Sequence, residues 1–222
     1  MTRIEYRDLL GNVITEEQKN SLSEYTKFVY DSFSKKLKMK LKCFENDVVW
    51  DGEYYMDSTE TITNLITTLN QSHRWQIMSN LESINGYNIW TGNHYHDGEL
   101  YEMYWKHVFN PNGDLIAEMS FDANNQTAIG VIKKFYLRNK NKIDENGDIV
   151  GIFEEEDYVI FAFDSDGSFE VDSSDNDIFF KPYLTLESFL KSQQNGYVMN
   201  LMTQEMKDYY LNFHPLVPPF QI

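Results

Sequence analysis

Three of the five histidines lie in one segment, Gly92–Val108, and their spacing suits more than one kind of chemistry. His94 and His96 stand two apart, and Glu99 follows soon after them. Two imidazoles and a carboxylate are suitable ligands for a transition metal. His107 would serve instead as a general acid or base if a hydrogen-bonding partner lay beside it. A third interpretation is that these residues form the wall of a binding pocket.

A predicted turn argues against the metal site. The pair Asp97-Gly98 favours a two-residue hairpin turn, because both positions accept the positive φ angles that such turns need. His96 would then lie at a solvent-exposed tip, without the supporting hydrogen bonds that metal-binding histidines normally have. Two acidic turns resemble calcium loops, but Ile149 and Phe169 occupy the sixth position, where an EF-hand needs glycine. We therefore predict no metal and no cofactor.

The same turn defines the predicted pocket. Side chains alternate between the two faces of a strand, so one face of this hairpin gathers large aromatic and imidazole groups. We expect that face to line a pocket together with residues from an earlier strand pair. The predicted pocket residues are Trp50, Tyr54, Trp90, His94, Tyr101, Trp105 and His107.

Two helices are predicted to precede the hairpin. Thr15 and Gln18 fit a capping box, and apolar residues then recur at helical spacing, so a helix is expected over residues 16–37. A second helix is expected after a cap at Asp57 or Ser58, with Glu60 at the capping-box position. Its predicted buried face consists of Ile62, Leu65, Ile66 and Leu69. The segments KMKLKCF and VVWDGEYYM, which lie between these helices, read as strands.

The remainder of the chain is predicted to be rich in β-strands. Asn85-Gly86, Asn112-Gly113, Asn146-Gly147 and Asp166-Gly167 mark further hairpin turns between segments of alternating pattern. Two short helices are expected near the end, LESFLKSQQ after Thr185 and TQEMKDYYLNF from Thr203. We therefore expect one domain over residues 1–125 and an acidic, β-rich extension over residues 126–222, which could share one core.

Composition restricts the class of protein. Hydrophobic residues make up 41% and aromatic residues 15% of the 222 residues, which is typical of a folded globular chain. The beginning of the chain has no apolar signal segment, and no apolar run is long enough to cross a bilayer. Cys43 is the only cysteine, so no intrachain disulfide can form, and a reducing cytoplasmic location is expected.

The charge of the chain favours one class of partner. A formal net charge of −16 disfavours nucleic acids and anionic membranes, whereas opposite charge would steer a basic protein toward this chain. Acidic residues concentrate in the segment from Asp144 to Asp177. The predicted protein-binding residues are Glu154, Glu155, Glu156, Asp157, Asp164 and Asp166.

Residues 16–125 resemble a known superfamily. The segment CFENDVVWDG followed by DSTETITNLITTL, and the later segment HVFNPNGDLIAEMSFD, are similar to segments of the nuclear-transport-factor-2-like (ketosteroid-isomerase-like) superfamily. The resemblance implies an α+β fold in which a curved antiparallel sheet packs on N-terminal helices and encloses a cone-like pocket. Members use such a pocket for isomerase or lyase chemistry or for binding small molecules, and some toxin-immunity proteins are similar to this fold.

Two functions remain open from the sequence. The first is a non-enzymatic, acidic protein-binding protein, in its sharpest form a bacterial immunity protein that neutralises a basic toxin. The second is a cone-like pocket protein that binds a small hydrophobic ligand or acts as a lyase or isomerase. In that case His94 or His107 would be the base and Tyr54 or Tyr101 the proton donor. No catalytic residue is assigned.

Overall fold

A computed structural model describes residues 2–69, 74–143, 148–154, 157–173 and 195–221 of the chain. The chain divides into two compact units. Unit 1 comprises Met1–Leu81 and Trp90–Tyr104, and unit 2 comprises Glu82–Ile89 and Trp105–Ile222. The predicted boundary at residue 125 stays a prediction.

Strands dominate the described residues. In chain order the strands are β1 Arg3–Arg7, β2 Val13–Ile14, β3 Glu24–Tyr30, β4 Leu37–Phe44, β5 Val48–Tyr55, β6 Arg74–Ile84, β7 Tyr87–His96, β8 Glu99–Phe109, β9 Leu115–Asp122, β10 Ala128–Tyr136, β11 Asn141–Ile143, β12 Ile149–Ile152, β13 Tyr158–Asp164 and β14 Phe169–Ser173. The α-helices are α1 Glu16–Lys19, α2 Ile62–Thr68, α3 Asn195–Asn200 and α4 Gln204–Tyr210. A 3₁₀ turn spans Glu45–Asp47.

Twelve of these strands form one sheet. Their order across the sheet is β14-β13-β10-β9-β8-β7-β6-β5-β4-β3-β1-β2, and β11 pairs with β12 separately. Strands β5 and β6 are parallel neighbours, with Gly52 opposite Trp75. Parallel neighbours need a crossover connection, and helix α2 lies in the connection between these two strands.

The predicted α+β fold, with a curved sheet packed on N-terminal helices, is wrong. The chain is mostly β, with a long and mostly antiparallel twelve-stranded sheet and a few short helices. The expected helix over residues 16–37 accounts for much of the difference. Only Glu16–Lys19 is helical, although Thr15 and Gln18 form the predicted capping box. Strand β3 occupies Glu24–Tyr30 instead.

Ambiguous spacing explains this error. The buried residues Tyr25 and Val29 lie four apart, which matches one face of a helix and also one face of a strand. Valine, threonine and the aromatic residues of β3 favour a strand. Strand β3 is also hydrogen-bonded to β1 and β4, one on each side. Pairing with two neighbours therefore outweighed the helical pattern.

Most of the predicted hairpin turns are confirmed. Asn85-Gly86 and Asp97-Gly98 have positive φ at both residues, between 51° and 85°, as two-residue turns require. Gly113 and Gly167 each have a φ of 90°. The predicted turn at Asn146-Gly147 lies outside the described residues.

The predicted terminal helices have different outcomes. The helix expected after Thr185 lies outside the described residues. Helix α3 spans Asn195–Asn200, directly after the predicted segment LESFLKSQQ. The helix expected from Thr203 is confirmed, because the Thr203 hydroxyl accepts the N–H of Met206 at 3.2 Å.

In unit 1, helix α2 covers one face of the sheet. Leu65 is buried in a cluster with residues of β3–β7, among them Trp75 and Tyr95. A polar contact beside this core anchors α1: the Lys19 ammonium donates to both carboxylate oxygens of Asp47, at 2.9 and 3.0 Å. The short helix is therefore held by an ion pair as well as by its cap.

In unit 2, the terminal helices cover an aromatic face of the sheet. Phe135, Phe161 and Val171 are buried there together with residues of α3 and α4. Lys133 is fully buried on the same side, and its ammonium donates to the carbonyls of Tyr209 and Asn212 at 2.6 and 2.7 Å. A buried lysine therefore donates to carbonyl groups at the C-terminal end of α4, which a helix leaves unpaired.

Candidate protein-binding surface

Five of the seven predicted pocket residues belong to unit 1. Tyr54 is buried, and its hydroxyl donates to the Glu60 carboxylate at 2.5 Å. Burial, reinforced by this carboxylate, raises the pKa of Tyr54 to about 12. Trp50 stacks on Phe44 with ring centroids 5.6 Å apart and lines a groove of about 300 Å³.

The other three of these residues lie on β7 and β8. Trp90 packs edge-on against Tyr55 with centroids 5.5 Å apart, and it lines a cleft of about 800 Å³. The Nε2 atom of His94 lies 2.7 Å from the side-chain nitrogen of Gln76. Tyr101 is 59% exposed.

The remaining two predicted pocket residues, Trp105 and His107, belong to unit 2. His107 is buried, and its Nδ1 atom lies 3.0 Å from a carboxylate oxygen of Glu118. The seven residues are thus divided between the units, and Trp50 and Trp90 line two different cavities within unit 1. A common pocket lined by all seven stays a prediction.

Several acidic residues lie close together on the hairpin formed by β13 and β14. Ala162 pairs with Glu170 and Ile160 pairs with Asp172, while Phe161 pairs with Val171. Side chains alternate along a strand, so Glu170 and Asp172 lie on the face opposite the buried Phe161. Asp164 shares this outer face because it lies two and four residues beyond Ala162 and Ile160. We call Asp164, Asp166, Glu170 and Asp172 the acidic edge.

The acidic edge is exposed to solvent and lies at one end of the sheet. All four of its residues are exposed, and β14 is the terminal strand of the sheet among the described residues. The turn between the strands is well fixed: the Asp164 carbonyl accepts the N–H of Gly167, and the Asp166 carboxylate accepts the N–H of Ser168. Hydrogen bonds from Ser168 lower the pKa of Asp166. Its carboxylate is therefore ionised at neutral pH.

The other predicted acidic residues lie before β13. Glu154 is exposed, whereas Asp157 is partly buried and accepts the N–H of Glu154 at 2.7 Å. The Lys142 ammonium lies 3.6 Å from the same carboxylate oxygen of Asp157. Asp157 is thus engaged within the chain. Glu155 and Glu156 lie outside the described residues.

Two members of the acidic edge, Glu170 and Asp172, are absent from the predicted set. The sequence signal for them is the alternation in SFEVD, in which the apolar residues Phe169 and Val171 separate the acidic ones. Once this segment is a strand with its apolar side buried, both carboxylates must share the opposite face.

The two lysines of strand β10 lie on opposite faces of the sheet. Lys134 pairs with Ile160 and so lies on the same face as Asp172, two strands away. Its ammonium lies 5.1 Å from the centroid of the Tyr158 ring. Lys133, the neighbouring lysine, is buried on the opposite side. Of these two lysines, Lys134 therefore lies on the face of the acidic edge and Lys133 on the other.

Charge is also unequal between the units. Unit 2 has 20 acidic and 9 basic residues, and unit 1 has 15 and 10, which gives formal charges of −11 and −5. Most of the net charge of −16 thus belongs to the unit that carries the acidic edge. Long-range attraction of cations will be strongest toward unit 2.

Comparisons with known proteins give no relatives. No protein-family model matches the chain, and neither the curated proteins nor the solved structures contain a match. The resemblance seen in residues 16–125 therefore stays a prediction. None of the helices in the described ranges is both long and apolar enough to span a membrane. Within those same ranges, no three His, Cys, Asp or Glu side chains are grouped as metal ligands.

Proposed function

We propose that this chain is a non-enzymatic, cytoplasmic protein-binding protein whose partner is a basic protein. The acidic edge carries the proposal, because it sets four exposed carboxylates on one strand hairpin at the end of the sheet. An immunity-type role, in which the chain neutralises a basic toxin, is the sharpest form of this function.

Physical chemistry supports the role of a rigid acidic hairpin. Complementary charge accelerates the encounter of two proteins and fixes their orientation more than it adds raw affinity. Carboxylates on paired strands keep their spacing, so they lose less conformational entropy on binding than carboxylates in a loop would. The buried residues Phe161, Phe163 and Val171 hold the hairpin from behind.

The first prediction tests the acidic edge by charge neutralisation. A variant carrying Asp164→Asn, Asp166→Asn, Glu170→Gln and Asp172→Asn loses four negative charges on one hairpin. Binding would be measured by surface plasmon resonance against three basic probes, cytochrome c, ribonuclease A and lysozyme, and against the basic product of an adjacent gene where there is one. We expect the association rate to fall about tenfold, since steering depends on local charge.

A matched control variant distinguishes the effect of where the charges lie from the effect of the total net charge on binding. The control variant removes four exposed carboxylates from unit 1 instead. Its substitutions are Glu17→Gln, Glu45→Gln, Glu99→Gln and Glu102→Gln. Equal losses in the two variants would show that only net charge matters and would overturn the acidic edge as the binding surface. No binding of any probe by the unaltered chain would overturn the proposed function itself.

A further inference from the structure

The cleft of about 800 Å³ in unit 1 is not part of the acidic edge. Its size lies within the range of small-molecule sites, which is about 300–1,000 Å³. An aromatic pair, Tyr55 and Trp90, contributes to its wall, with rings packed edge to face. Leu37, Met56 and Leu81 add apolar surface. The cleft thus offers a ligand both an aromatic surface and apolar contacts.

The charged groups of the cleft are largely occupied with one another. The Lys38 ammonium donates to Asp57 at 3.1 Å and also to Glu60, and Glu60 accepts the N–H of Asp57 at 2.9 Å. Hydrogen bonds from Thr59 lower the pKa of Asp57 to about 2, so its carboxylate stays ionised beside the lysine. The Asp31 carboxylate binds the N–H groups of its own turn.

This internal pairing leaves the cleft with little net charge. The lining contains three carboxylates, of Asp31, Asp57 and Glu60, and two ammonium groups, of Lys36 and Lys38. A ligand with a strong charge of either sign would have to disrupt the existing pairs or face one of the same sign. The composition therefore favours a neutral ligand.

Uncharged polar groups of the cleft remain available. Within the part of the chain that the structure describes, the indole N–H of Trp90, the carboxamide of Asn80 and the hydroxyl of Ser58 have no hydrogen-bond partner. Together they offer donors and acceptors next to the aromatic pair. A ligand with many hydroxyl groups would satisfy both the donors and the acceptors, because each hydroxyl can donate and accept a hydrogen bond.

The backbone at Asn80 adds an independent observation. Asn80 lies inside strand β6 but has a φ of 52°, in the left-handed region. A left-handed residue within a strand is typical of a β-bulge, and bulges re-aim side chains and recur beside binding sites. The burial pattern changes at the same point, because Ile77, Met78 and Ser79 are buried and β6 is exposed from Asn80 onward. Strand β6 therefore departs from regular pleating where it lines the cleft.

From these observations we infer that the cleft binds a neutral saccharide. A sugar ring presents C–H groups to an aromatic face and hydroxyl groups at its edge. Trp90 and Tyr55 would contact the ring face, and Asn80 and Ser58 would bond the hydroxyls. This inference does not depend on the basic partner or on the acidic edge.

The second prediction tests this site with sugars. Saturation-transfer NMR and calorimetry would follow the binding of four neutral disaccharides, maltose, lactose, cellobiose and N,N′-diacetylchitobiose. We expect at least one to bind with a Kd on the order of 1 mM. Trp90→Ala and Asn80→Gly should each raise that Kd about tenfold. Glycine accepts the left-handed φ of position 80, so the second variant removes the carboxamide and keeps the backbone.

A control variant and two further measurements show whether sugar binding occurs at the cleft. Trp50→Ala removes a tryptophan that lines the other groove, and we expect it to leave sugar binding unchanged. The inference is overturned if no disaccharide binds at about 50 mM, far above the expected Kd. It is also overturned if Trp50→Ala weakens binding as much as Trp90→Ala does. Stronger binding of arginine or glucuronate than of any neutral sugar would likewise reject it.

Discussion

Lys133, the fully buried lysine of unit 2, connects a strand to a helix of that unit. Lys133 comes from strand β10, and its ammonium reaches two carbonyls at the end of α4. The ring of Tyr209 lies 4.1 Å from the same nitrogen, in cation–π geometry. One residue therefore links the sheet to the terminal helix.

The third prediction removes that link. Lys133→Met keeps much of the apolar volume but leaves the carbonyls of Tyr209 and Asn212 without their donor. We expect the free energy of unfolding, measured in urea, to fall by roughly 2–4 kcal/mol. Lys134→Met is the matched control, because Lys134 lies on the opposite face over the Tyr158 ring. Equal effects of the two substitutions would show that the buried bonds contribute little.

The fourth prediction concerns pH. Burial lowers the pKa of Lys133 to about 7, whereas in the unfolded chain the pKa stays near 10.5. Between these values the unfolded state binds one proton more than the folded state, so the stability contributed by this group rises with pH. The free energy of unfolding should therefore increase by roughly 2 kcal/mol from pH 7 to pH 9, relative to Lys133→Met. A difference that stays constant, or shrinks, over this range would contradict the lowered pKa.

At the scale of elements, a close contact fixes the parallel pair β5 and β6. A Cβ atom at Gly52 would lie 2.7–3.0 Å from three ring atoms of Trp75. That ring is itself held, because its indole N–H donates to the Leu69 carbonyl at 2.8 Å. The sheet therefore depends on the absence of a side chain at position 52.

The fifth prediction follows from this contact. Gly52→Ala should lower the free energy of unfolding in urea by about 1–3 kcal/mol, since the ring has little room to move. Trp75→Leu removes the clash, so the double variant should lose less than the two single losses combined. Gly151→Ala serves as a control because its nearest neighbouring atom is 4.0 Å away. Strict additivity in the double variant would show that the contact is not strained.

The elements differ in how far the sequence predicts them. Two-residue turns at Asn85-Gly86 and Asp97-Gly98 were predictable, since few residue pairs accept two positive φ angles in succession. Strand β3 was not, because Tyr25 and Val29 fit both periods and only pairing with β1 and β4 decides between them. Local pattern therefore predicts turns better than it predicts which segments enter a large sheet.

The same limit applies to the candidate sites. The acidic character of unit 2 is readable from composition, but which carboxylates share a face depends on the strand register, as Glu170 and Asp172 show. The cleft was not predictable, because it brings together Lys38, Asn80 and Trp90 from three strands. Asparagine tolerates a left-handed φ better than most residues, but the residue type alone does not predict that Asn80 adopts it inside a strand.

For the molecule as a whole, the placement of charge matters most at the terminal strands of the sheet. Twelve strands in one sheet leave terminal strands with backbone groups directed outward. Among the described residues these are β14 in unit 2 and β2 in unit 1. Such edges are templates on which a further strand can pair.

The carboxylates on β14 therefore have a second consequence, concerning the solubility of the protein. A second copy that added its own β14 in antiparallel fashion would place Glu170 and Asp172 beside the same carboxylates of the first. Like charges in direct cross-strand positions destabilise such a pair. Glu170 and Asp172, which are proposed to attract a basic partner, would thus also disfavour edge-to-edge pairing of two copies through β14.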